Sequence, residues 1–281
     1  MSTIIPINQT NVTTQNNVFH YNFPAGSVNF KDRKIAISSI ILPYTWYNIT
    51  STYNNQTFQI TVPTTDGSSF STLSITIPAG FYTIGQMNEF LQSVLIANNF
   101  YLVNPAGDNV YYIEIVGNTN LSTAQLNCYV VPNTLPTTGG TWTNPGWTLP
   151  STGTRVPQLI TDTSNFYKLI GFAPSTTYPS TATQASTYSI TSSITPQISP
   201  VSCVLVNCSL VNNLLSSPSN IITLIPITST FGAQIIFTPS TLIWLPILDG
   251  SYPYMRISFL DQLSNQLEMT DTNVIISLVI T

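Results

Sequence analysis

The chain has 281 residues, of which 43% are hydrophobic, so it has ample material for a core and is no disordered tail. Only 6% of it is charged, against about 25% in an ordinary soluble domain. With a net charge of −4 and a pI near 4.6, that composition excludes electrostatic capture of nucleic acid. It also leaves the surface to Thr, Ser, Asn and Gln, neutral groups that cost little to desolvate beside ions, as suits a surface covered by like neighbours.

Residues 1–27 read as an N-terminal arm, polar and rich in Thr, Asn and Gln, with isolated Ile5, Val12, Val18, Phe19 and Phe23. Two readings stand: a frayed terminus, or an arm that orders against a neighbouring subunit by adding a strand or seating an aromatic. Met1–Thr10 lacks the basic start and apolar stretch of a signal peptide. No run of about 18 apolar residues is present to span a membrane. Six Asn-x-Ser/Thr triplets, such as those opening at Asn8 and Asn207, are expected in so Asn- and Thr-rich a chain and are inert without secretion.

The body is expected over residues 28–281. The cluster Lys31, Asp32, Arg33, Lys34 reads as a solvated turn, followed by a strand in KIAISSIILP that ends at Pro43. Tyr44, Trp46 and Tyr47 then form an aromatic knot, and Phe58, Ile60 and Val62 alternate as a strand closed by the turn residues Asp66 and Gly67. Leu73, Ile75 and Ile77 make another strand. Behind it Thr83 and Gln86 form a capping box ahead of a helix whose apolar face is Ile84, Met87, Leu91, Val94 and Leu95, with Phe90 beside it. Such a helix must lie across a sheet.

Strands resume around Tyr111–Val116 and Leu126–Val131. Between about 132 and 157 the composition turns to Thr, Pro and Gly, an external loop with Trp142 and Trp147 embedded in it. These two tryptophans either pin the loop or form a surface recognition site. A short helix is expected at Asp162–Leu169, with Ser164 as cap and Gly171 as stop, and a second Ser/Thr/Pro loop at about 178–200. From Val201 short β runs follow one another at regular spacing to the C-terminus. The fold class is therefore all-β, an antiparallel sandwich of jelly-roll type with one long and one short helix and extended loops.

Chemistry is hard to place in this chain. His20 is the only histidine and sits in the polar arm, and Cys128, Cys203 and Cys208 are dispersed and read as reduced, so neither a catalytic triad nor a zinc site is expected. Asp249, Asp261 and Asp271 fall at turns, where Asp caps a turn at little cost. No phosphate loop or dinucleotide fingerprint is present. The expectation is a protein that is not an enzyme and takes no cofactor.

Five segments taken in order carry a resemblance: SIILPYTWYNIT, IPAGFYTIGQMNEFLQSVL, KLIGF, VSCVLVNCSLVNN and MRISFLDQLSNQLEMTDTNVIISLVIT. This order resembles the penton, or minor capsid, proteins of virophages and Polinton-like viruses over roughly residues 28–130 and 160–281. The resemblance implies a single jelly roll that forms homopentamers at the five-fold vertices of an icosahedral capsid. Its implied partners are sister subunits, a major capsid protein and other minor capsid proteins, in a virion assembled inside the host cell. It supplies no catalytic residues. Candidate subunit-interface residues are Phe19, Phe23, Tyr44, Trp46 and Tyr47. The rival reading is a glycan- or receptor-binding β-sandwich of a viral spike or fibre, which would use Trp142 and Trp147. A double jelly-roll major capsid protein does not fit this length.

Overall fold

The computed structural model describes residues 2–65, 69–118, 120–162 and 164–281; the turn expected at Asp66 and Gly67 lies outside them. The chain starts with β1 (Thr3–Ile7), β2 (Thr13–Gln15), β3 (Val18–Asn22), β4 (Val28–Phe30) and β5 (Lys34–Pro43). Next come β6 (Thr57–Thr64), β7 (Ser69–Thr76), helix α1 (Ile84–Ala97), β8 (Leu102–Val103), β9 (Asn109–Val110), β10 (Ile113–Asn118) and β11 (Thr123–Cys128). They are followed by β12 (Gln158–Thr161), helix α2 (Phe166–Ile170), β13 (Thr176–Tyr178) and β14 (Tyr188–Thr191). The chain closes with β15 (Cys203–Cys208), β16 (Ile221–Pro226), β17 (Gln234–Phe237), β18 (Leu245–Pro246), β19 (Gly250–Tyr252), β20 (Tyr254–Leu260) and β21 (Ile275–Ile280). The body read from sequence as one unit divides into two compact ones: Met1–Tyr47 with Ser199–Thr281, and Asn48–Ile198.

The first unit is a jelly roll by its strand order. One sheet runs β1-β21-β5-β17, with β18 also on β5, and the other runs β2-β3-β20-β15-β16, every pair antiparallel. Lettered B to I along the chain, β1, β3, β5, β15, β16, β17, β20 and β21 give the orders B-I-D-G and C-H-E-F, the connectivity of two interleaved Greek keys. Residues 1–27 are neither frayed nor waiting for a neighbour. They supply strands B and C, with β1 along β21, β3 along β20, and Ile7, Phe19 and Phe23 buried.

A bulge explains the uneven pattern of KIAISSIILP. Ser277 pairs with Ser39 and Leu278 with Ile37, so Ser38 is an extra residue on β5, its hydroxyl donating to the Ser277 carbonyl at 3.0 Å. The insertion shifts the period by one. Ile35, Ile37 and Ile40 therefore share the buried face with Ile276, Leu278 and Ile280. In the other sheet Val204, Val206 and Cys208 of β15 point inward while Cys203 points the other way, as their spacing of five requires. All three cysteines are free, and burial pushes the Cys208 thiol up to about 11.

The second unit holds the sheets β13-β12-β6-β7 and β10-β11-β14 and the pair β8-β9. Helix α1 packs on β10 and buries Ile84, Met87, Leu91 and Leu95, with Phe90 and Val94 half-buried beside them. Its capping box is complete: the Gln86 amide donates to Thr83 Oγ1 at 3.3 Å, and the Thr83 amide to Gln86 Oε1 at 2.9 Å. Thr83→Ala is expected to cost about 1 kcal/mol, seen as a lower midpoint of thermal unfolding. Helix α2 starts later than its sequence pattern, at Phe166 after the cap position Asn165, although Ser164 Oγ does accept from the Phe166 amide. It stops at Gly171 in the left-handed region, where a Cβ would also meet the Ile194 carbonyl at 2.2 Å.

The two stretches read as loops are built into this core. Trp147, Pro150 and Val156 are buried in the first, and β14 within 178–200 pairs with β11. Thr, Pro and Gly hid them by giving no period, yet one large apolar side chain every few residues is enough to tie such a segment down.

Candidate interaction surface

The five aromatic residues proposed for an interface are placed as follows. Phe19 packs edge-on against Phe259 with centroids 5.8 Å apart, and Phe23 lies between Tyr21 and Phe30. The rings of Tyr44 and Trp46 lie 4.4 Å apart at a tilt of 31°, with Phe231 edge-on to Tyr44 and the Tyr44 hydroxyl 2.8 Å from Ser199 Oγ. Phe19, Phe23, Tyr44 and Trp46 are buried within their own unit and Tyr47 is half-buried. The first four are core residues, which corrects their assignment to a subunit interface. Alternation alone cannot tell an aromatic that covers a sheet from one that offers itself to a partner.

The tryptophans do not form an exposed pair. Trp147 is buried, donates from Nε1 to the Pro63 carbonyl at 3.1 Å, and meets Phe100 and Tyr112 edge-on. Trp142 is half-buried against the same core and donates to the Thr138 carbonyl at 3.0 Å. A flat aromatic platform for a sugar ring is therefore not built by these two residues.

The exposed apolar surface lies elsewhere. On the sheet β1-β21-β5-β17, Ile275 stands opposite Ile41, which stands opposite Ile236, so three isoleucines cross three adjacent strands on one face. Ile236 is 67% and Ile275 50% exposed. A second feature is the turn after β15, where Leu214 is 82% and Leu215 100% exposed. That turn is fixed from within: the Leu215 amide donates to Asn213 Oδ1 at 3.1 Å, the Ser216 amide to the Asn213 carbonyl at 3.1 Å, and the Asn213 amide to the Ser219 carbonyl at 2.6 Å. No charged residue occurs from Ile170 to Leu248, a stretch that includes both Leu214–Leu215 and Ile236.

In the second unit a groove of about 700 Å³ opens between the start of α1 and the β10–β11 hairpin. Ile84, Gly85, Ile115, Val116, Pro196 and Ile198 give it apolar walls. The Asn88 side chain fixes one wall by accepting from the Ile115 amide at 2.9 Å. Thr123 Oγ1, also in the wall, is buried without a hydrogen-bond partner among the described residues. Val116, Leu121 and Ile194 are exposed.

Three of the aspartates shape backbone. Asp249 accepts from the Asp32 amide, Asp271 from the Asn273 amide, and buried Asp261 from the amides of Leu263 and Asn265. This is the turn-capping role their sequence positions suggest. His20 lies on β3 beside the ring of Tyr254. Among the described residues no three His, Cys, Asp or Glu side chains gather to hold a metal ion, and no helix is long and apolar enough to cross a membrane.

Glu114 accepts from the Asn127 side chain at 2.9 Å and from the Tyr129 hydroxyl at 2.5 Å, and that hydrogen bond is the main cause pushing Tyr129 up to about 12. The folded state thus holds this proton longer than the unfolded chain does. The stability it adds is complete below about pH 10 and is lost as the pH rises from 10 to about 12. Phenolate absorbance in an alkaline titration should lose one of its late-titrating groups in Tyr129→Phe, while that of Tyr112, which burial also pushes up to about 12, remains.

No protein-family model matches the chain, and no characterised protein sequence does. Among solved structures it is similar to the mavirus penton protein, at 9% identity over 99% of both chains with a TM-score of 0.47. It is also similar to a chain of the Sputnik virophage structure, at 11% identity over 99% of this chain and 97% of that one, with a TM-score of 0.41.

Proposed function

We propose that this chain is a structural subunit of a viral capsid, and that it assembles as a homopentamer at the five-fold vertices beside a major capsid protein and other minor capsid proteins. The observation that carries the reading is the isoleucine row Ile275–Ile41–Ile236 on the outside of a jelly-roll sheet in a chain with 6% charge. Covering such a face strips water from apolar surface and from almost no ions, so association gains the hydrophobic term without a large desolvation cost.

All five segments that carry the family resemblance fall on named elements, KLIGF on the end of helix α2. SIILPYTWYNIT runs through strand D, VSCVLVNCSLVNN through strand E and the last segment through strands H and I, while IPAGFYTIGQMNEFLQSVL carries α1. Sister subunits around a five-fold axis must meet through two different patches, and this chain offers more than one apolar patch. The test is the mass of the purified chain in solution by mass photometry, with the symmetry of its particles read from electron micrographs. Assemblies of five copies are expected. A chain that stays single at micromolar concentration and is single within particles overturns the reading.

A further inference from the structure

We infer that the Leu214–Leu215 turn of one subunit inserts into the groove between α1 and the β10–β11 hairpin of a second copy. This deepens the assembly reading above and rests on it. The turn is a preformed apolar knob: it is locked by the hydrogen bonds of Asn213, carries no charge, and leaves Leu215 wholly exposed. Two adjacent leucines held out on an ordered turn lose little further backbone entropy when they dock, which lowers one of the costs of binding.

The groove is the complementary hole. Its walls are apolar, and no charged side chain lines it. Its volume is in the range that takes a drug-sized ligand, more than two leucine side chains need. A small molecule in the groove would leave Leu121 and Ile194 bare, because neither lines it; a protein surface spreading from the inserted turn covers them. A second copy is the partner whose knob matches, and a knob and a hole on different parts of one chain make the head-to-tail contact that a closed ring needs.

Two variants and one cross-link test it. Leu215→Asp removes the knob on a fully exposed side chain, so the fold is untouched. Gly85→Leu fills the hole: a Cβ there meets only Thr83 Oγ1 at 3.9 Å, and leucine is a better helix residue than glycine. Each should weaken self-association by about 10- to 100-fold in sedimentation or mass photometry, with the melting temperature unchanged or, for Gly85→Leu, raised. In a Cys203→Ser background, a chain carrying Leu215→Cys mixed with a chain carrying Val116→Cys should form a disulfide-linked dimer under a mild oxidant. Either variant assembling like the parent, or no cross-link between the mixed chains, overturns the knob-in-groove contact while pentamers of the parent keep the assembly reading intact. A parent chain that is single throughout removes both.

Discussion

Removing residues 1–27 should abolish the cooperative unfolding transition of the jelly-roll unit. The truncation takes away strands B and C, leaves the edges of β21 and β20 unpaired, and deletes Ile7, Phe19 and Phe23 from the core. A single substitution isolates the effect. Phe19→Ala leaves the backbone pairing in place but opens a cavity beside Phe259, Cys208 and Ile257, whose strands carry the same buried row. A loss of about 3–5 kcal/mol is expected, a large share of the total stability of any domain. Urea unfolding of the variant measures it. A loss below about 1 kcal/mol, the scale of an ordinary surface substitution, would return these residues to the status of an arm.

The second large effect is expected at Trp147. Trp147→Ala removes a buried indole that meets Phe100 and Tyr112 and strands the Pro63 carbonyl that its Nε1 satisfies. Cavity and lost hydrogen bond together should cost the second unit about 3–5 kcal/mol. Trp142→Ala, at a half-buried ring, should cost much less. Denaturant unfolding followed by tryptophan fluorescence compares the two. Equal small losses would mean that the loop is not held by Trp147 at all.

What the sequence reveals and what it hides follow from how local each signal is. Helix α1 is legible to the residue at its N-terminus because a capping box lies within four positions of chain. Strands E, H and I are legible because each alternates over four or more residues. Strands B and C are not. β1 contains Pro6 and shows only Ile7 buried, and β3 shows only Phe19 buried, so neither displays a period until its partner is in place. The bulge at Ser38 breaks the alternation of β5 for a reason visible only across the ladder. The division at Asn48 coincides with no change of composition, and the change near Ser199 reads as the end of a loop, so a single body was the natural expectation. The interface aromatics were misplaced for the same reason: Tyr44 and Trp46 have the character of anchors, but which side of them is covered is a tertiary fact. The exposed leucines at 214 and 215 carry a readable signal after all, a Leu-Leu pair in a run of Asn and Ser with no strand period.

The second unit is inserted whole between strands D and E, and that placement sets an order of events. As the chain leaves the ribosome, β1, β3 and β5 emerge first, yet their principal partners β20 and β21 are among the last residues made. Residues Asn48–Ile198 are contiguous and can mature while synthesis continues. The three early strands must meanwhile wait without their ladders, sticky and uncharged, until the far end of the chain arrives. The jelly roll is therefore expected to complete its ladders last, at the close of synthesis.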